Sequence, residues 1–281
     1  MNAASNLFHP RRRTVQGHTR VEVDRLSPGC RETMIDACFA VYRENSRSLD
    51  RAEFGRRFFA PGTKVALFHG DGELAGFSNA RVLEVKAGRR THRVFSAGVY
   101  FRLRYRGGGR QAVRFGFSEA LREKLRRPHL PLAYLCMASN PAVYRLHRQL
   151  ANRVWPLPGG APPAELAAAV KAVCDARGLE PVEGDLWRVR SFVRPDHPER
   201  LRRSAQLRRC PDARFFDARN PDWADPERPT ALLLWVPLDL QDIAIGLQRT
   251  MQHVARRGAP VLPFRTPLRA APPAPARARA A

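Results

Sequence analysis

The stretch RYRGGGRQAVRFGF, Arg104 to Phe117, decides how this chain is read. Three glycines stand together between arginines, where an alternating segment gives way to a helical one. Upstream, THRVFSAGVYFRL (Thr91–Leu103) has strand character, with Gly98 as a bulge or a point of close backbone approach. Downstream, Val113, Phe117, Leu121 and Leu125 recur every four residues, which predicts a helix ending before Pro128. The first N–H groups of a helix have no intrahelical partner, and the macrodipole adds positive potential there. Glycine lets an anion approach that backbone, so a strand before and a helix after favour a phosphate cradle over a bare turn.

Working outward, Ser27-Pro28 reads as an N-cap with proline at the first helical position, followed by Met34, Ile35, Cys38, Phe39 and Tyr42 at helical spacing. Asp50 and Glu53 form a variant capping box that opens a second short helix. KVALF (Lys64–Phe68), the turn HGDGE and Leu74–Val85 make a hairpin. LAYLCM (Leu132–Met137) is an apolar strand, and SNPAVYRLHRQL opens a helix at Pro141. The order is αα-βββ-α-β-α.

That order, with glycines at one strand-to-helix junction and Asn-Pro at the next, resembles the core of the GNAT superfamily of acyl-CoA-dependent N-acyltransferases over Arg25–Pro156. The resemblance implies an α/β fold: a mixed, mostly antiparallel sheet flanked by helices, here with an enlarged C-terminal extension. It also implies acyl transfer, most simply acetyl, from acetyl-CoA or another acyl-CoA to an amine by direct attack, with no metal. Arg104, Arg106, Gly107, Gly108, Gly109, Arg110 and Gln111 would form the pyrophosphate loop. Two frames fit: Arg104-Tyr105-Arg106-Gly107-Gly108-Gly109 matches the family pattern, whereas the usual Tyr-Arg-Gly frame leaves Gln111 where glycine or alanine is expected.

By the same resemblance the strand before the loop splays from the next, and the gap admits the pantetheine arm beside Val99, Phe101 and Leu103. Asn140 would hold that arm. A tyrosine two turns on would protonate the departing thiolate, but His147 stands seven residues after Asn140 and Tyr144 four, so both are candidates. Glu84 is the candidate general base. Ser96 and Cys136 lie on the strands that would splay, yet no His or Asp at a recognisable spacing activates either, which favours direct transfer.

Four segments follow: a flexible leader (1–24), the donor-binding core (25–156), a C-terminal extension completing the sheet and covering the acceptor site (157–264), and a low-complexity tail (265–281). In the extension, WRVRSFV (187–193) and TALLLWV (230–236) read as strands and Asp239–Arg257 as an amphipathic helix. FFDARNPDW (215–223) is either an acceptor-facing loop or a helix end packed by its aromatics.

The formal net charge of +23 and pI near 11.4 are carried almost wholly by arginine. Two other readings follow from it. Arg102, Arg104, Arg106 and Arg110 around the loop could steer an acidic acyl carrier protein as donor. Alternatively the chain is a non-catalytic, arginine-rich nucleic-acid-binding protein, although it has no recognisable nucleic-acid-binding motif. Five dispersed cysteines without a CxxC pair argue against disulfides and a zinc site and suit the cytoplasm. The longest apolar run, ALLLWVPL, is too short to span a bilayer.

Overall fold

The structure, a computed structural model, describes residues 13–46, 48–105, 109–182, 184–191, 207 and 210–255. The N-terminal signals act as expected. Ser27 Oγ accepts from the Cys30 N–H at the start of α1 (Pro28–Arg43), and Asp50 from the Glu53 N–H at the start of α2 (Arg51–Phe58). The apolar faces of both helices meet in an aromatic cluster, with Tyr42 and Phe54 ring centroids 5.0 Å apart.

The hairpin joins β2 (Lys64–Gly70) to β3 (Glu73–Ala87). Asp71 (φ 49°) and Gly72 (φ 76°) both lie in the left-handed region, as a twist-matched two-residue turn requires. Then follow β4 (Arg90–Phe101), α3 (Gly109–Arg126), β5 (Leu132–Ala138), α4 (Pro141–Leu150) and α5 (Ala164–Arg177). The chain continues through β6 (Pro181–Val182), β7 (Asp185–Arg190), α6 (Pro211–Arg219), β8 (Thr230–Pro237) and α7 (Leu240–Ala255). α3 stops short of Pro128, which cannot continue a helix.

One sheet of eight strands runs β1-β2-β3-β4-β5-β8-β7-β6, where β1 is Gly17–Glu22. Only β4 and β5 run parallel; the other pairings are antiparallel. Val65 and Phe77 turn towards α1 and α2, whereas Ala66, Phe68 and Phe95 turn towards α3 and α7. β8 lies between β5 and β7, and its residues from Thr230 to Val236 are buried, which explains its unbroken apolar run. The mixed, mostly antiparallel sheet with a C-terminal extension is therefore formed.

One boundary is corrected. The leader cannot reach residue 24, because Gly17–Glu22 is an edge strand on β2. Half exposed and rich in polar side chains, it gave no alternating apolar signal. Past residue 156 the chain returns to the same sheet. Trp155 bridges to Trp235, and β8 completes the sheet beside β5. Residues 1–12, 192–206 and 265–281 lie outside the described residues.

Candidate functional site

β4 and β5 touch over only three register pairs, Arg93–Leu132, Val94–Ala133 and Phe95–Tyr134. Beyond them β4 follows β3 to Phe101 and β5 follows β8 to Ala138, so the strands part. The backbone from Ser96 to Phe101 pairs on its β3 side and has no β5 partner on the other. At the open end stand Val99, 46% exposed, and Leu103, 40% exposed. Apolar side chains left uncovered beside an unpaired strand edge suit an extended, partly apolar ligand that adds to the edge. Phe101, the third residue expected to line the gap, instead stacks on Phe68 at 5.0 Å in the core.

α3 begins at Gly109, beside the open end. Arg106, Gly107 and Gly108 fall outside the described residues, as do the side chains of Gly109 and Arg110. Gln111 ties the helix start to the segment leading into β1, its Nε2 donating to Val15 O at 3.1 Å. That bond accounts for glutamine where the family pattern expects a small residue. Arg102 binds Glu44 and the Leu74 carbonyl, and Arg104 binds Glu73, which also accepts from the Tyr105 hydroxyl. Two of the four arginines around the loop are thus neutralised by carboxylates, which removes much of the basis for steering an acidic carrier protein.

Asn140 caps α4, its Oδ1 accepting from the Ala142 and Val143 N–H groups at 3.1 Å each. From that helix Tyr144 and His147 go to different surroundings. Tyr144 is fully buried, donates its hydroxyl to Pro156 O at 3.2 Å, and packs on Phe215 and Phe216. Burial pushes that hydroxyl well above the ordinary tyrosine range. His147 instead turns to β5. Its ring lies 5.6 Å from that of Tyr134, its charge and that of Cys136 act on each other, and Nδ1 donates to Val143 O at 2.9 Å. Burial would lower the His147 pKa, but the Cys136 charge and the Val143 carbonyl outweigh it and raise it to about 8.

Replacing Tyr144 with phenylalanine removes one hydrogen bond and leaves a buried carbonyl unpaired, so about 1 kcal/mol of stability is expected to go. Urea denaturation measures that loss. Acyl transfer should be unchanged if Tyr144 is structural, and a large fall in kcat would instead make it the proton donor.

Glu84 sits opposite Arg93, at the closed end of the strand pair. It binds Arg127 at 2.5 Å and lies 3.7 Å from Arg93, away from the split. Ser96 is partly exposed at the start of the split. Asn79, which spacing did not single out, is 8% exposed, and its Oδ1 makes no hydrogen bond. It faces Gly98, where an added Cβ would come within 2.6 Å of that oxygen; Gly98 marks close approach and no bulge. Arg177 of α5 has a buried Nη1 without a hydrogen bond, and burial with the Arg57 and Arg81 charges holds its pKa down.

FFDARNPDW resolves in favour of packing. Phe216 is buried against Tyr144 and Trp223, and the Asn220 side chain is locked to Thr230, accepting from its hydroxyl at 2.6 Å. Among the described residues no group of acidic, histidine or cysteine side chains is arranged to hold a metal, and no helix is long and apolar enough to cross a membrane.

The strand order, the parallel β4–β5 contact and its divergence define a mixed α/β protein whose sheet splits between its two parallel strands. No protein-family model matches the chain, and no curated protein does. Part of it aligns with solved structures. A probable N-acyltransferase of Enterococcus faecalis V583 aligns at 15% identity and TM-score 0.33, over 48% of this chain and 31% of that one. Arabidopsis thaliana NAA60, solved with a bisubstrate analogue, aligns at 12% identity and TM-score 0.32, over 49% and 87%. Escherichia coli ElaA aligns at 14% identity and TM-score 0.30, over 51% and 93%.

Proposed function

We propose that the protein is an N-acyltransferase that moves an acyl group, acetyl in the simplest case, from a phosphopantetheine thioester such as acyl-CoA to an amine. The observation that carries this reading is the divergence of β4 from β5 after Phe95, which leaves an unpaired strand edge beside exposed Val99 and Leu103. A pantetheine arm has amides to pair with that edge and methylenes to cover those side chains. The N-terminus of α3, opening at Gly109 after the glycine run, suits the pyrophosphate. Asn79 Oδ1 offers an unused buried acceptor for the N–H of an amine entering from the α1–α2 side. His147, partly exposed and protonated below about pH 8, supplies a proton for the departing thiolate. The ion pairs of Arg102 and Arg104 favour acyl-CoA over a carrier-bound donor.

Isothermal titration with coenzyme A and acetyl-CoA tests the donor. Gly109→Asp places a carboxylate at a helix N-terminus, which leaves stability intact or slightly raised but repels a pyrophosphate. Its affinity for coenzyme A should fall about tenfold or more, equivalent to about 1.4 kcal/mol. No binding by the unaltered protein would remove the donor assignment.

A further inference from the structure

We propose that Cys136 is a nucleophile that carries the acyl group as a thioester before the amine receives it, with His147 as its proton partner. The inference rests on the acyl-transfer reading above and adds a covalent step to it. Tyr134 is the last β5 residue in register with β4, and Cys136 stands two residues on, where the strands have parted. Strand alternation places Tyr134 and Cys136 on one face, and His147 reaches that face from α4.

The three side chains act on one another's protonation, with the His147 ring 5.6 Å from that of Tyr134. The carbonyl of Val143 can only accept, so His147 Nδ1 carries a proton towards it and Nε2 is left for the thiol. The Tyr134 hydroxyl and the same sulfur shift each other's protonation. Burial pushes the thiols of Cys38 and Cys174 up, the latter to about 11. Cys136 is only 7% exposed, and burial acts on it in the same sense. The His147 charge, the Tyr134 hydroxyl and the Arg177 charge outweigh that burial and hold its pKa below the ordinary thiol range. Tyr134 itself, raised by burial and by the Cys136 charge, keeps its proton and remains a donor. A thiolate beside an imidazolium is the reactive form of cysteine. The His147 bond to Val143 stays within one helix and joins no two elements, so packing alone does not call for this arrangement.

The steps balance without an oxidant. Cys136 Sγ attacks the thioester carbonyl carbon of the donor, forming one S–C bond as the bond to the pantetheine sulfur breaks. His147 gives its Nε2 proton to the departing thiolate, which leaves as a thiol. A neutral amine then attacks the Cys136 thioester, the N–C bond forms and the Cys136 S–C bond breaks. His147 takes the amine proton, restoring thiolate and imidazolium.

The full chain, without amine, is incubated separately with acetyl-CoA and with S-acetyl-N-acetylcysteamine, which has the thioester but no phosphate. Acid quenching, intact mass and peptide mapping follow. One acetyl group on Cys136 is expected, absent in Cys136→Ser and formed about 100-fold more slowly in His147→Ala, the scale of general acid–base assistance. Chloroacetamide at neutral pH should alkylate Cys136 faster than the buried Cys38 and Cys174, with the advantage lost in His147→Ala. Thermal melts confirm that the variants are folded. Loading from the small thioester but not from acetyl-CoA would remove the coenzyme A assignment and leave the nucleophile standing. Amide formation by Cys136→Ser at the unaltered rate, or no adduct on Cys136 from either donor, would overturn the covalent step while leaving coenzyme A binding to be read on its own.

Discussion

Glu123→Ala is expected to cost about 3 kcal/mol or more of folding stability, because removing one partner of a buried ion pair strands the other charge. Arg93 is 3% exposed on β4 and donates to Glu123 Oε2 at 2.9 Å and to the Glu123 carbonyl at 3.1 Å. Lys64 and Arg126 also approach that carboxylate, at 3.4 and 2.9 Å. Without it, positive groups from β2, β4 and α3 face one another. The position matters for the site as well. Arg93 is opposite Leu132 where β4 and β5 still touch, so the pair fastens α3 to the closed end of the split. Urea denaturation should show a lower midpoint at unchanged slope. Arg93→Met combined with Glu123→Leu should recover most of the loss, since apolar replacement of a whole buried pair is close to neutral. If Glu123→Ala alone unfolds at the unaltered midpoint, the pair contributes nothing net.

His147→Ala is expected to lower kcat for acyl transfer by about 100-fold or more, the range for loss of a positioned acid–base group. Affinity for the donor should hardly change, because in the proposed reaction His147 acts at the thioester sulfur and not at the phosphate end. The pH dependence follows from the same pair. With the folded pKa raised from 6.5 to about 8, the stabilisation linked to protonated His147 is complete below 6.5 and lost as pH rises through about 8. Tyr134, Cys136 and Arg177 are the groups facing it or its partner. In the proposed reaction the proton supply for the leaving thiolate should fade over the same interval in the unaltered protein. In His147→Gln that limb of the pH–rate profile should vanish, a result that a purely structural histidine would not produce.

The helix starts around the candidate site were legible because their signals are local. Asn140 before Pro141 and Ser27 before Pro28 predict helix starts, and both side chains cap as their chemistry requires. The glycines after an alternating segment place a helix start beside a strand end, and α3 begins within that run. The partner of Cys136 was not legible. Cys136 and His147 are eleven positions apart, on a strand and on the helix that folds back over it, and no fixed spacing encodes such a contact. The arginines misled in the opposite direction. They read as a positive rim, but Glu44 and Glu73, distant in sequence, bind Arg102 and Arg104.

Residue pattern alone determined the order of the elements from α1 to α4 and the helix start that follows the glycine run. Period and capping act between near neighbours, so they survive without knowledge of the whole. Tertiary structure decided the rest. It made Gly17–Glu22 an edge strand, and it set β8 between β5 and β7. It sent Tyr144 to Pro156 and His147 to Cys136, although both project from one helix within a single turn. It also drew Glu84 to Arg127 at the closed end of the split. Those outcomes depend on which surfaces pack against α4 and β3, and burial and charge pairing across long sequence distances settle that only when the chain is folded.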